Sequence, residues 1–205
     1  MTLDQYRDIA DRMLVPFVDA AKALGLTPDG VSVIAFGFAG AAGGAFALAG
    51  GQGPVWLYLA ASLFVFANGW LDLVDGALAR QLGTDSKGGD LLDHVLDRYA
   101  DVLIIAGLAA GADAYALGLL AVTGVLLTSY LGTQIQAVGL GREYGGLLGR
   151  ADRLALVGVV GVVAFVVPGS IVAGFGAVEL LLVLFAIVGH VTALQRFWGA
   201  WSDLS

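Results

Sequence analysis

The chain has 205 residues, 59% hydrophobic and 13% charged, with a mean hydropathy of +0.87 and a formal net charge of −7. A soluble domain usually carries about a quarter charged residues, so this composition excludes a disordered chain and an ordinary water-soluble enzyme, and its acid excess argues against nucleic acid as a partner. No cysteine is present, which removes disulfides and thiolate chemistry.

The opening "MTLDQYRDIADRM" lacks the basic-then-apolar order of a signal peptide. At 100° per residue, Leu3, Tyr6, Ile9, Ala10, Met13, Leu14, Phe17, Ala21 and Leu24 share one face. Asp4, Asp8, Asp11, Arg12, Asp19 and Lys22 take the other. The pattern predicts an amphipathic helix over residues 1–25, lying in the membrane interface. Pro16 is expected to kink or break it.

Residues 26–205 read as one transmembrane catalytic domain. Apolar runs predict spans at Val31–Gly50, Pro54–Ala79, Leu91–Gly111, Ala114–Gly139, Leu148–Val167 and Ala177–Trp198. Each is long enough to cross about 30 Å of hydrocarbon. The fold class expected is therefore an all-α integral membrane protein, with six transmembrane helices after the interfacial one. All ten Lys and Arg residues fall on one side of this arrangement. The positive-inside rule makes that side cytoplasmic, with both termini and the membrane-edge acids facing the cytoplasm of a multi-pass cell-membrane protein. Gly40 with Gly44, and Gly107 with Gly111, have the spacing that lets helix backbones approach closely.

Between the second and third spans the chain reads "LDLVDGALARQLGTDSKGGDLLDHVLDRYAD". Asp72 and Asp75 are three apart, Asp93 and Asp97 four apart, so each pair shares a helix face. A loop from Gln81 to Gly89 lets the two pairs face each other. Four carboxylates in a low-dielectric setting need cations, and hard, all-oxygen ligands suit Mg²⁺, Mn²⁺ or Ca²⁺. Arg80 is placed to grip a phosphate. The alternative is a set of salt bridges to Arg80 and Arg98, which leaves two acids uncompensated.

The pattern D-x-x-D-G-x-x-A-R, eight residues, then G-x-x-x-D-x-x-x-D is met by Asp72, Asp75, Gly76, Ala79, Arg80, Gly89, Asp93 and Asp97. It resembles the signature of the CDP-alcohol phosphotransferases. The resemblance implies two divalent cations, Mg²⁺ or Mn²⁺. Asp72 and Asp93 would bridge both, Asp75 would hold one and Asp97 the other, and Asp97 would also be the catalytic base. It implies a CDP-lipid donor, release of CMP, and nucleotide contacts from Gly76, Ala79, Arg80 and Ser86. The segment "TPDGVS" is similar to a nucleotide-contacting family segment, which adds Asp29 and Ser32. A homodimer is implied by the resemblance alone.

The segment "TSYL" with the later "GRADRL" is similar to the phosphatidylinositol-phosphate and archaetidylinositol-phosphate synthase branch, whose acceptor is inositol phosphate. Gly132, Thr133 and Gln134 stand where that branch commonly has bases, so glycerol 3-phosphate is the second acceptor expected. Arg142, Arg150 and Arg153 form either a pocket for the phosphate of a small phosphorylated polyol or a topology signal only. Asp101 continues the Asp93–Asp97 face and either tunes the metal acids or pairs with an arginine. His94, Glu179 and His190 read as structural. A cation transporter is the competing class; such sites lie near the bilayer midplane in repeated halves, whereas these acids sit at one edge and the chain shows no internal repeat.

Overall fold

The computed structural model describes residues 7–51, 53–84, 86–141 and 148–204, with side chains described from residue 13 onward. In chain order the elements are α1 (Arg7–Ala23), α2 (Pro28–Ala49), α3 (Trp56–Leu82), α4 (Lys87–Gly111), α5 (Tyr115–Ala137), α6 (Arg150–Val166), the short strands β1 (Ser170–Val172) and β2 (Phe175–Gly176), and α7 (Ala177–Leu204). The two strands pair antiparallel between α6 and α7. This hairpin is a small departure from the all-helical expectation, in the Gly-rich segment read from sequence as a turn.

Among the described residues, four helices, α2, α3, α5 and α7, are long and apolar enough to cross a membrane. The other two expected spans fall short for different reasons. The stretch of α4 up to Asp101 carries Asp90, Asp93, Asp97, Arg98 and Asp101, and α6 has 17 residues, below the ~20 of a full span. Large apolar side chains such as Ile34, Leu48, Leu63, Phe66, Leu119, Ile187 and Leu194 face outward. An outer surface of this kind suits hydrocarbon rather than water.

Helix α1 continues through Pro16, so of the kink or break expected there the break does not occur. Its Leu14, Val18 and Ala21 are buried with Val31, Val74, Ala77 and Leu78, and Phe17 meets Trp70 edge-on at 5.2 Å. Lys22 also donates to Gln81 of α3. This packing offsets the one backbone hydrogen bond that proline removes. Met13, Val15 and Leu24 stay exposed, so only part of the apolar face is spent on α3.

Lipid is as apolar as leucine, so helices in a bilayer are held by close packing rather than by escape from water. The α2–α4 seam is built that way. A Cβ on Gly107 would overlap the Gly43 carbonyl, one on Gly43 the Leu103 carbonyl, and one on Gly111 the Phe46 carbonyl. The predicted Gly107–Gly111 pair is thus at a helix contact, but its partner is Gly43. Gly44 has nothing within 4 Å of a Cβ. Gly107→Ala is therefore expected to lower stability by about 1–3 kcal/mol through forced separation of the helices, while Gly44→Ala costs nothing. Melting temperatures in one detergent check both; equal melting of the two variants would contradict the seam.

The turn joining α3 to α4 is shorter than the sequence suggested. Gly83, at φ +62°, ends α3 in the left-handed conformation that glycine adopts without strain. Ser86 caps α4 by accepting from the Gly89 N–H at 3.0 Å. This tight reversal sets the acids of the two helices opposite one another.

Candidate active site

Asp72, Asp75 and Asp93 each offer an oxygen, and these oxygens lie within 4.8 Å of one another. Asp75 is buried, and its Oδ2 accepts from the Ser32 hydroxyl at 2.6 Å. Such a trio of hard oxygens fits a Mg²⁺ or Mn²⁺ ion. Asp97 stands apart from it. Its Oδ1 is 2.8 Å from Arg150 Nη2, while Arg150 Nη1 is 2.9 Å from Asp72 Oδ2. One guanidinium thus spans the two helices. Arg98 adds a longer contact to Asp97, at 3.6 Å. The ion pairs weighed from sequence involved Arg80 and Arg98; the structure uses Arg150 in place of Arg80.

Two clefts flank these acids. The first, of about 460 Å³, is lined by Pro28, Asp29, Ser32, Asp75, Gly76, Ala79, Thr84, Ser86, Lys87, Gly89, Asp90 and Asp93. Five of the six residues expected at a nucleotide are among them. The sixth, Arg80, is exposed and brings Nη1 to 3.3 Å from where a Cβ on Gly76 would stand. The first turns of α2 and α4 both open onto this cleft, with Thr27 capping α2 by accepting from Gly30 N–H. Two helix N-termini supply unpaired N–H groups and positive dipole ends, a setting that favours an anion such as a diphosphate. A Cβ on Gly89 would stand 3.2 Å from Asp29 Oδ1, so glycine there leaves room for the carboxylate.

The second cleft, of about 710 Å³, lies on the other side of the acids, among α4, α5, α6 and α7. It is lined by Asp97, Arg98, Arg150, Arg153 and Arg196, with Ser129 and Thr133 of α5 and the edge of His94. Local structure explains where the α6 arginines sit. Asp152 accepts from the Gly149 N–H at 2.9 Å, as an acid at the third helical position does. That start places Arg150 and Arg153 one turn apart on the same face. Arg153 is buried and donates from Nη2 to Asp101 at 2.9 Å, so Asp101 is an arginine partner, one of the two readings its position allowed. Arg142 lies outside the described residues.

Three groups on this wall carried little signal in the sequence. Arg98 donates to Ser129, and Arg196 donates to the Thr128 carbonyl at 2.6 Å. Both are bases at the polar end of apolar runs, which reads as topology until the helices are assembled. His94, expected away from the acids, has Nδ1 3.9 Å from Asp93 Oδ2. Glu179 and His190 are structural, as expected: Glu179 accepts from Gly176 N–H, and the His190 ring meets the Leu120 carbonyl.

Residues 26–195 match the family described as CDP-alcohol phosphatidyltransferase. A phosphatidylinositol phosphate synthase from Streptomyces avermitilis is 34% identical over 95% of this chain and 80% of its own length. An archaetidylinositol phosphate synthase from Methanothermobacter thermautotrophicus is 28% identical over 98% of this chain and 95% of its own. Among solved structures, the Mycobacterium tuberculosis phosphatidylinositol phosphate synthase with CDP-DAG bound superposes with a TM-score of 0.76 at 25% identity, covering 93% of this chain and 94% of the other. The same enzyme in complex with manganese and citrate gives a TM-score of 0.76 at 24% identity, over 92% and 88% of the two chains.

Proposed function

The chain belongs to the CDP-alcohol phosphatidyltransferase family, and from that we propose that it transfers a phosphatidyl-type or archaetidyl group from a CDP-linked lipid to inositol phosphate, releasing CMP. The observation that carries this reading is the placing of an acid cluster between a cleft fitted to a nucleotide diphosphate and a cleft walled by four arginines. The inositol phosphate synthases named above support the choice of acceptor.

Asp72, Asp75 and Asp93 would hold divalent cations, with Asp97 completing a second position. When bound, the cations supply charge neutralisation for the diphosphate and for the departing CMP. The chain's own residues do the rest. The α2 and α4 N-termini, Ser86 and Arg80 orient the CDP half; Asp29 and Ser32 line the same wall. Arg150 and Arg153, with Arg142, receive the acceptor's phosphate. Asp97, at the boundary of the second cleft, takes the proton of the attacking hydroxyl. That oxygen forms its bond to the β-phosphorus as the bond to the CMP oxygen breaks, and CMP leaves with that oxygen.

The same proposal places α1 at the cytoplasmic interface, residues 26–205 as a six-helix transmembrane catalytic domain, both termini and the site in the cytoplasm, and the protein as a homodimer in the cell membrane. The basic residues all on one side support the orientation.

The deciding assay measures CMP release by purified protein in detergent, with CDP-diacylglycerol and, in turn, inositol phosphate, glycerol 3-phosphate, free inositol and serine. Release is expected with inositol phosphate and Mg²⁺ or Mn²⁺, and none in excess EDTA. Faster release with glycerol 3-phosphate would replace the acceptor; equal rates with inositol and inositol phosphate would remove the phosphate pocket.

A further inference from the structure

Arg150 makes two short contacts to carboxylates on different helices, 2.9 Å to Asp72 and 2.8 Å to Asp97. It is largely buried, as is Asp97. Of the Asp72–Asp75–Asp93 trio, Asp72 alone is ion-paired with it. The two cation positions are therefore unlike each other: at one, Asp75 and Asp93 stand outside the guanidinium's ion pairs, while at the other Asp97 is engaged by it along with the shared Asp72.

We propose that Arg150 is an internal counter-ion that stands in for the cation at the Asp97 position, so that the cations load in order, the Asp72–Asp75–Asp93 position first. The inference rests on the two-cation reading above. Its physical basis is competition. Asp72 and Asp97 are close, partly buried acids on facing helices, and leaving them uncompensated in low dielectric is costly. The planar guanidinium satisfies both at once, which a lysine ammonium on one contact does not. A cation that needs Asp97 must first displace it, and its apparent affinity falls by the fraction of molecules in which the bridge is open. The displaced guanidinium is not stranded. Arg150 already lines the second cleft, where an anionic acceptor offers it oxygens.

The test is a Mn²⁺ binding isotherm on the metal-stripped full chain, read by the electron paramagnetic resonance of free Mn²⁺. The wild type is expected to show two classes of site separated by about tenfold or more, the separation a bridge closed in nine molecules of ten would give. Arg150→Gln should tighten the weaker class by about tenfold and bring the two together. Arg150→Lys separates bridging from charge: it keeps the charge but cannot span both carboxylates, so it too should tighten the weaker class, by several-fold. Arg98→Gln, which removes an equal charge near Asp97 without unlinking α3 from α4, should change it less than Arg150→Lys does. Two equivalent classes in the wild type, or an Arg150→Lys isotherm identical to wild type, would overturn the counter-ion role and leave the two-cation reading standing. Failure of the wild type to bind Mn²⁺ at all would overturn both. Should Arg150→Gln not fold, the lysine variant alone decides.

Discussion

Asp97→Asn is expected to lower turnover by about two to four powers of ten, the usual range for loss of a positioned general base. An asparagine keeps an oxygen to offer a cation or an arginine, but it cannot take a proton from the acceptor hydroxyl. Loss should therefore appear in kcat, with CDP binding close to wild type. Asp75→Asn acts differently. Asp75 is buried in the trio and sits on the nucleotide cleft, so its variant should lose metal and CDP affinity together. CMP release at saturating Mn²⁺, with CDP binding by calorimetry, separates the two cases. An Asp97→Asn enzyme that turns over at a near-normal rate would remove the base assignment.

Arg153→Gln is expected to destabilise the protein by about 3 kcal/mol or more, because it leaves the buried Asp101 carboxylate without its short-range partner. Asp101 is 4% exposed, and its other cation, Arg98, is 3.7 Å away, so the loss is cushioned but not removed. The double variant with Asp101→Asn should recover most of the stability, since the uncompensated charge is gone. Its acceptor kinetics then report the binding role alone. A raised KM for inositol phosphate with unaltered CDP-lipid KM in the double variant supports a phosphate contact; an unaltered acceptor KM makes Arg153 a structural residue of the α4–α6 contact. Melting curves and acceptor titrations of the four members of the cycle supply both readouts.

The acid cluster was legible in the sequence because carboxylates at intervals of three and four on apolar helices have few physical explanations, and the short connection forces the two pairs together. The expected nucleotide contacts that line the first cleft were singled out through the family resemblance rather than through spacing, and they come together because they lie on two consecutive helices and the start of α2. What could not be read were contacts set by the rotation and tilt of helices distant in sequence. Arg150 meets Asp72 across the α3–α6 packing, and nothing in local spacing selects it over Arg80. Gly107 was visible as a small residue, but which glycine it met, Gly43 rather than Gly40 or Gly44, depended on which face of α2 turned inward. Pro16 does not break α1, one of the two outcomes expected of it, because local propensity cannot weigh the tertiary packing of Leu14 and Val18. The charged start of α4 was visible in composition, yet hydropathy averaged over the run concealed it, whereas the brevity of α6 shows directly in the short uninterrupted apolar stretch from Leu154 to Val167.

The two clefts have no lining residue in common, and α4 divides between them, giving Lys87 to Asp93 to one and His94 to Tyr99 to the other. With the donor and acceptor assigned to the clefts as proposed, recognition of the activated lipid and recognition of the alcohol would be written on separate stretches of chain that meet only at the carboxylates. Substitutions on α5, α6 and α7 would alter the second cleft and leave the lining of the first, from α2, α3 and the first turns of α4, unchanged. Such a scaffold can exchange one polar headgroup for another by local change, without relearning how to hold the donor. Diversity of membrane lipids from a single catalytic core follows from that division of labour.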